Sequence, residues 1–535
     1  MSRCAKWSLY VVLLLVVGLS FAPAAVGVED SRPRVVLMLD PELDDSNTLV
    51  RYLLYSNMFD TEGLVYTSSG VHWKGDGQGT LWFVPGREYD RFGLNLGPMP
   101  SWRWKEGEQF IHDAVEIYAE VYPNLKVHAS GYPHPDELRS KIFFGNVEFD
   151  GDISRNTPGS NLIKTLLLDD DPRPVYLLTG AGHSTIGRAL KAICEEFSHK
   201  PEWSEIYEKV SRKAIIQAWG DQDNVYANYI KPNWPDITYL NMSATIWGYS
   251  ARRAVLPEDR HYLSAAWMRE NVSRVGPFGE FYRVWGDGKQ MVPGDIFDYF
   301  GFAGLNREQL TALGYVVWTD PQEAGSWISE GDTPIFMNLL DNGLRAHVDP
   351  TWGGWGGRAG EDMDPSGTLS RNHTAARWFG AAQRDFAARM RWTVTSQYEG
   401  ANHNPIVEVL LPDALDIEAR PGETVVLKGS AVDPDGDHIT GRWWQYVEAG
   451  TYPNAVELTN LAEPKPAPVL TVPAKVVPGS PEIADVIESE IEVTYQFVVP
   501  QDAEDGQTLH FILEVQDNGT PSLTAYQRVV VTVVN

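Results

Sequence analysis

Three aspartates follow the first apolar run of the chain in close succession. The run "RVVLML" leads directly to Asp40, and Asp44 and Asp45 come shortly after it. In open α/β sheets, ligands bind outside the carboxyl ends of the strands. Converging carboxylates at such an edge can hold a hard cation such as Ca²⁺, which takes about six to eight oxygen ligands. The alternative is that Asp44 or Asp45 caps a helix while Asp40 lies in a turn.

Polar and aromatic residues also follow later strand-like runs. His72 and Trp73 come after the second run, and Asp221, Asp223 and Asn224 come after the fifth. At the same edge of a parallel sheet, these side chains could contact a substrate or bind its hydroxyl groups. Packing of His72 and Trp73, and a solvated loop for the other three, are the alternatives.

The segment "TWGGWGGR" contains Trp352 and Trp355. Its glycines allow the backbone to approach a ligand closely, and either tryptophan could stack on the face of a sugar. A tight, rigid loop packed against the domain is the alternative.

A second group of acidic residues lies in "DPDGD" near the C-terminus. Asp433, Asp435 and Asp437 could bind a structural Ca²⁺, but Asp and Gly at these positions also make a plain turn. The chain has no Gly-rich phosphate loop, no His-Glu-x-x-His motif and no cysteine cluster.

Strand-like apolar runs alternate with helix-like segments in the first half of the chain. The runs are "RVVLML", "EGLVYTS", "LKVHAS", "PVYLLTG", "KAIIQAW" and "ITYLNM". In "STIGRALKAICEEF", Ile186, Leu190 and Ile193 keep the helical period, and Ser46 is expected to cap the helix in "SNTLVRYLLYSNMF". This alternation predicts an α/β fold, with a parallel sheet covered by helices on both faces.

The pattern changes near residue 400. Alternating strand-like segments, among them "ETVVLKGSAV", "HITGRWWQYV", "QTLHFILEVQD" and "YQRVVVTVV", follow without a helical period. They predict an all-β, immunoglobulin-like sandwich over residues 401–535, after an α/β domain over residues 28–400.

Composition and the N-terminus indicate an exported protein. Arg3 and Lys6 precede an apolar run and the small residues "APAAVG", which predicts a secretory signal peptide over residues 1–27 and no membrane span after its cleavage. We therefore expect a secreted protein, periplasmic or extracellular. The formal net charge of -28 argues against a nucleic acid polymer as partner. Cys194 alone remains after the signal, so no internal disulfide is expected.

The stretch "LDPELDD" resembles the Asp-x-Asp-Pro-Gly-x-Asp-Asp signature of the nucleoside hydrolase superfamily. The longer "DPELDDSNTLVRYLLYSNMFDTEGL" is similar to a secreted family known as cellulose-binding proteins with a nucleoside-hydrolase-like domain. The resemblance implies that Asp40 and Asp45 bind Ca²⁺, that Asp40 also activates water, and that Asp44 holds a sugar hydroxyl. Met38 stands where the signature has its first Asp, and Glu42 where it has Gly.

Two further segments resemble this superfamily. "VYLLTGAGHSTIGRAL" implies that the backbone carbonyl of Thr179 is a calcium ligand. "DNGLRAHVDPTWGGWGGR" implies that Asp349 completes the calcium shell and that His347 is the acid for the leaving group, although Val348 interrupts the family's His-Asp pair. "DPDGDHITGRWWQYVEAGTY" is similar to the second domain of the secreted family.

Two functions follow as expectations. The first is a calcium-dependent hydrolase that cleaves an N-glycosidic or related bond of a small sugar-containing substrate or glycan. His72, Asp223, Asn224 and Trp352 would then contact the substrate together with Asp44. The second is a carbohydrate-binding protein that keeps the calcium and sugar contacts without catalysis. A structural or adhesive role, suggested by the sandwich alone, is a third.

Overall fold

The computed structural model describes residues 32–242, 244–410, 415–461 and 489–535. The predicted signal peptide, residues 1–27, lies outside these described residues. Within them, no helix is both long and apolar enough to cross a membrane.

The N-terminal domain is built on a sheet of six parallel strands in the order β3-β2-β1-β4-β5-β6. The strands are β1 (Arg34–Leu39), β2 (Asp60–Tyr66), β3 (Ile142–Phe144), β4 (Val175–Thr179), β5 (Ala214–Ala218) and β6 (Thr238–Asn241). The chain turns to opposite sides of β1, towards β2 and then towards β4, so a crevice opens at the carboxyl ends of β1 and β4. Asp40 and Gly180 follow these two strands directly.

Apolar residues cover both faces of this sheet. Val35, Leu37 and Leu39 of β1 belong to one buried cluster, whereas Val36 and Met38 belong to the cluster on the other face. This alternation is why the run reads as apolar throughout, and it is typical of a strand that is buried on both sides. The α/β prediction is confirmed.

Helices surround the sheet and continue to the domain's end. They are α1 (Leu43–Leu54), α2 (Phe110–His128), α3 (Pro135–Ser140), α4 (Pro158–Leu168), α5 (Ser184–Phe197), α6 (Trp203–Lys213), α7 (Lys231–Asn233), α8 (Ala251–Ala254), α9 (Ala265–Met268), α10 (Gly276–Phe281), α11 (Arg307–Ala312), α12 (Pro334–Met337), α13 (His373–Ala376) and α14 (Phe379–Trp392). A two-stranded ladder of β7 (Asp362–Met363) and β8 (Leu369–Ser370) precedes α13.

Two local predictions are wrong. "LKVHAS" is not a strand, because most of it is the last turn of α2, where buried Leu125 and His128 continue the helical face. The sheet's edge strand is instead the short β3. Ser46 does not cap α1, since the helix begins earlier, at Leu43, and the Ser46 hydroxyl donates back to the Glu42 carbonyl at 3.3 Å.

The C-terminal domain consists of two four-stranded sheets, in the orders β10-β16-β15-β12 and β13-β14-β11-β9. The strands are β9 (Ile406–Val409), β10 (Asp416–Ala419), β11 (Thr424–Val432), β12 (Ile439–Gln445), β13 (Thr459–Asn460), β14 (Glu490–Val498), β15 (Thr508–Asp517) and β16 (Thr524–Val533). Every pairing except β10 with β16 is antiparallel. The all-β prediction is confirmed; the immunoglobulin-like topology and the boundary at residue 400 stay predictions.

The two domains pack into one compact unit over residues 33–535. Arg528 of β16 donates to the carbonyls of Trp352 and Gly353 at 2.7 and 2.8 Å. The Tyr446 hydroxyl donates to Asp362 at 2.6 Å. Hydrogen bonds that involve a charged group contribute about 1.5–3 kcal/mol each when buried, so these contacts fix the sandwich on the first domain.

Candidate functional site

Asp40, Asp44 and Asp45 converge where β1 passes into α1. The Asp40 amide donates to Asp45 Oδ1 at 3.0 Å, and the Glu42 amide donates to Asp40 Oδ1 at 3.1 Å. These two bonds fold the connection so tightly that all three aspartate side chains are buried. Ligand oxygens of Glu42, Asp44 and Asp45 lie within 4.8 Å of one another.

A fourth aspartate joins them from a distant part of the chain. Asp332 precedes α12, is 2% exposed and lies close enough to Asp45 for the two carboxylates to interact electrostatically. It lies against Gly180, at the end of β4, so closely that a Cβ at position 180 would be 2.5 Å from Asp332 Cγ. The glycine of the Thr-Gly turn therefore leaves the space that the Asp332 carboxylate occupies.

The electrostatics of this cluster are unfavourable without a cation. Burial, reinforced by the charges of neighbouring aspartates, raises the pKa of Asp45 and of Asp332 well above the ordinary range. Burial also raises the pKa of Asp44, although Ser329 donates to it at 3.0 Å. In the part of the chain that the structure describes, no lysine or arginine forms an ion pair with Asp40, Asp44, Asp45 or Asp332.

The donor set suits a hard divalent cation. Most of its side-chain donors are carboxylate oxygens, which hard divalent cations prefer. His72, grouped with Asp40 and Glu42, could add a nitrogen ligand. The Thr179 carbonyl accepts the Trp219 amide at 3.0 Å within the sheet, which leaves its second lone pair free. Asp40, Asp45 and Thr179 thus lie at one edge of the sheet, together with Asp332; that they bind Ca²⁺ stays a prediction.

A cavity of about 390 Å³ opens beside these carboxylates. Glu42, Asp44 and Asp332 line one side of it, and Trp219, Tyr249 and Trp318 contribute aromatic surface. The Tyr249 hydroxyl lies 3.2 Å from both Glu42 Oε1 and Asp44 Oδ1, and the Trp318 ring meets the Tyr249 ring edge-on at 4.6 Å. Apolar and aromatic surface beside a few polar groups is typical of a pocket that binds a small molecule.

His72 lies beneath the aspartates rather than in the cavity. It is 1% exposed, and its Nδ1 is 3.1 Å from Asp40 Oδ1, although the angle is not that of a hydrogen bond. Its neighbour Val71 lines the cavity instead. The position suits orientation of Asp40 better than contact with a substrate.

Asp223 and Asn224 also lie outside the cavity. Asp223 is buried and accepts the amide and the hydroxyl of Ser184 at 2.8 and 2.6 Å, at the start of α5. Asn224 is exposed with a left-handed backbone, φ 62°. Gln222 faces the cavity in their place. Asn224 thus fits the solvated loop, whereas Asp223 is buried and caps the start of α5.

The segment from His347 to Trp355 does not join the carboxylate cluster. The Asp349 carboxylate accepts the amide and hydroxyl of Thr351 at 2.8 and 2.6 Å. The Trp352 ring packs edge-on against His510 of the sandwich, and Trp355 is buried in the core. His347 lines a neighbouring cavity of about 560 Å³, which shares Thr245 with the first cavity. The predicted placement of Asp349, His347 and Trp352 at the site is thus corrected: this loop serves the domain contact.

Sequence reasoning missed Asp332, Tyr249 and the two cavity tryptophans. Asp332 stands in "EGDTP", between a glycine and a helix that starts with proline, and this was the signal available. Tyr249, Trp219 and Trp318 carry no local signal, since tertiary packing alone brings them to the cavity.

Comparison with known proteins assigns both domains. A model of "Cellulose-binding Sde182, nucleoside hydrolase-like domain" matches residues 34–359, which is more than half of the chain. A model of "Cellulose-binding protein Sde0182, C-terminal domain" matches residues 424–533. No curated protein matches the chain.

Solved structures show the same fold. A nucleoside hydrolase-related hypothetical protein from Saccharophagus degradans, associated with carbohydrate metabolism, is similar with a TM-score of 0.64 and 23% identity. The match covers 94% of this chain and 100% of that one. A sialic acid binding region of a Streptococcus sanguinis SK1 adhesin matches with a TM-score of 0.15 and 15% identity, over 25% of this chain and 30% of that one, which is too slight to carry an argument.

The order of strands, the carboxylates at the carboxyl edge and the match over residues 34–359 agree with one another. The chain belongs to the family of cellulose-binding proteins with a nucleoside hydrolase-like domain.

Proposed function

We propose that this protein is a calcium-dependent hydrolase of a glycosidic bond in a glycan or glycan-derived sugar. The observation that carries the proposal is the buried pair Asp44 and Asp45, whose ligand oxygens lie within 4.8 Å of each other and of Glu42, and which has no lysine or arginine partner among the described residues. Two buried carboxylates at such close range are held together at neutral pH only by a shared proton or by a cation.

Asp40, Asp45, Asp332 and the Thr179 carbonyl would hold the Ca²⁺. When bound, the ion supplies electrostatic stabilisation and lowers the pKa of a coordinated water. These ligands come from the ends of β1 and β4 and from the segment before α12, so the fold itself orients them.

Asp40 is the base in this proposal. Its Oδ1 is fixed by the Glu42 amide and lies beside His72, which leaves Oδ2 to accept a proton. Water attacks the anomeric carbon and its proton passes to Asp40, while the bond from this carbon to the leaving group breaks. The leaving group departs with the electron pair and takes a proton from solvent.

Asp44 and the aromatic walls bind the sugar. Asp44 lines the cavity, where its carboxylate can accept a sugar hydroxyl in the place of Tyr249. Trp219 and Trp318 offer apolar faces to the ring. An exported protein would meet such a glycan outside the cytoplasm, so the predicted secretion is part of this proposal.

The test is Asp40→Asn, with Glu418→Gln as a control for charge because Glu418 is exposed on the sandwich. Wild type and control are expected to release reducing ends from cello-oligosaccharides in the presence of Ca²⁺, or free base from nucleosides. Asp40→Asn should lose at least about 100-fold in kcat, as is usual for loss of a general base. Turnover unchanged by this substitution would contradict the mechanism.

Carbohydrate binding without catalysis is the second candidate. The observation in its favour is Met38, which stands where the signature has an aspartate and is buried in an apolar cluster. Under this candidate, wild type binds cello-oligosaccharides with no release of reducing ends, and Asp40→Asn changes affinity alone. Calorimetric binding beside the activity assay separates the two candidates.

A further inference from the structure

A second acidic cluster lies in the sandwich, in the turn between β11 and β12. Ligand oxygens of Asp433, Asp435 and Asp437 lie within 4.8 Å of one another. Asp433 Oδ1 accepts the amides of Asp435 and Asp437, both at 2.9 Å. Any tight turn of this sequence would make these two bonds, so they do not indicate a ligand.

The other oxygen of Asp433 does indicate one. Asp433 is 4% exposed, and its Oδ2 has no hydrogen-bond donor in the described part of the chain. A buried carboxylate oxygen without a donor is costly, at about 1–3 kcal/mol or more for a charged group. Such a group is rare in native proteins, and a bound ion is one of its ordinary explanations.

Nearby side chains do not neutralise the cluster. Among the described residues, no lysine or arginine lies within ion-pair distance of Asp433, Asp435 or Asp437. His403 alone approaches, with Nδ1 2.9 Å from Asp435 Oδ1. The three carboxylates therefore have one imidazole as a possible cationic partner. That imidazole contacts Asp435 and not the unpartnered oxygen of Asp433.

We propose that Asp433, Asp435 and Asp437 bind one divalent cation, Ca²⁺ by the chemistry of the donors. All three supply oxygen, and Gly436 takes the left-handed conformation, φ 83°, that lets the loop close around an ion. Asp433 Oδ2 then gains the partner that the protein does not give it. This site is separate from the one at Asp45 and needs no catalysis.

The position of the loop gives this site a structural consequence. The Asp435 carboxylate accepts the His403 amide at 2.7 Å, and His403 Nε2 lies 3.0 Å from Nδ1 of His128. His128 is the last residue of α2 in the first domain. The cation therefore stabilises a loop that is linked through His403 to the other domain, and its removal should loosen residues 393–405 between them.

The experiment is calorimetric titration of the chelator-treated full-length protein with CaCl₂. The variants are Asp433→Asn, which keeps the oxygen that accepts the two turn amides, and Glu418→Gln as the charge control. We expect Asp433→Asn to bind one Ca²⁺ fewer than wild type or to bind it at least about tenfold more weakly. Circular dichroism checks the fold, and Asp437→Asn replaces Asp433→Asn if that variant does not fold.

Asp45→Asn separates this site from the first one. Asp45→Asn should retain the loop site, and the double variant with Asp433→Asn should lose it. If Asp433→Asn binds Ca²⁺ with the stoichiometry and affinity of wild type, the inference is overturned. If instead wild type has a single site that Asp433→Asn removes and Asp45→Asn does not, the inference stands and the proposed function loses its metal.

Discussion

The two acidic clusters of this protein are built in opposite ways. The cluster at Asp40, Asp45 and Asp332 joins the end of β1 to a segment almost three hundred residues later, and its pair Asp45 and Asp332 is buried. The cluster at Asp433, Asp435 and Asp437 comes from one turn, and only Asp433 is buried. A cluster assembled from distant segments forms only when the whole domain is folded, so a ligand or substrate bound there can be coupled to the domain's structure. A local cluster stabilises its own loop.

Activity gives the largest expected difference between the two clusters. Asp45→Asn should lower Ca²⁺ affinity at the first site, and Ca²⁺-dependent turnover with it, on the order of 100-fold. That is the upper end of the losses seen when groups that merely support a metal ligand are changed. Asp433→Asn should change turnover by less than about threefold, because its loop does not line the cavity. Equal losses of turnover in both variants, assayed at saturating substrate, would contradict the separate roles of the two clusters.

The same contrast explains what the sequence could reveal. "LDPELDD" and "DPDGD" are local, so the carboxylates of β1, α1 and the sandwich turn could be found by inspection. Asp332 and Tyr249 could not, because their role depends on packing between segments far apart in the chain. Asp349 illustrates the same limit: its segment resembles the family by order along the chain, whereas in the structure its carboxylate accepts the amide and hydroxyl of Thr351.

The fold was easier to predict than the site. Continuous apolar runs such as "VYLLT" must be buried on both faces, so the parallel sheet followed from β1, β4, β5 and β6. The last turn of α2 was mistaken for a strand because "LKVHAS" is short, and periodicity does not distinguish a short apolar run from the end of a helix.

Gly180→Ala should disturb the first cluster by geometry alone, without changing any charge. The new Cβ would lie 2.5 Å from Asp332 Cγ, so the carboxylate must move away from Asp45. We expect Ca²⁺ affinity at the first site to fall about tenfold, as for other small displacements of metal ligands, and the sandwich site to be unaffected. Gly248→Ala is the matched control, since its Cβ would meet no atom closer than 3.8 Å. Calorimetric titration with Ca²⁺ measures the affinity of both variants. An equal loss of affinity in Gly248→Ala would contradict this explanation.

Stability without Ca²⁺ should change in the opposite direction to activity. Asp45→Asn removes a buried charge that repels Asp332, while an amide oxygen can still accept the Asp40 amide. In chelator at pH 7 we expect this variant to be more stable than wild type, because burial and the neighbouring carboxylates raise the pKa of Asp45, so the folded wild type must take up a proton or bury repelling charges there. Asp433→Asn should gain less than about 1 kcal/mol, because its carboxylate already accepts two amides. Urea unfolding measures both, and a destabilised Asp45→Asn would contradict this expectation, because it would mean that the carboxyl group stabilises the fold without a cation.

A pH dependence is also expected at the contact between the domains, away from both clusters. Burial, and then the charge of Arg528, lowers the pKa of His510 to about 3. The unfolded chain, with an ordinary pKa near 6.5, binds more protons than the native state between these values. The contribution of His510 to stability is therefore present above about pH 6.5 and is lost as the pH falls towards 3, with a slope of at most about 1.4 kcal/mol per pH unit. His510→Gln should flatten this slope in urea unfolding at pH 4–7, whereas an unchanged slope would mean that His510 is solvated, and that Arg528 alone holds Trp352 against the sandwich.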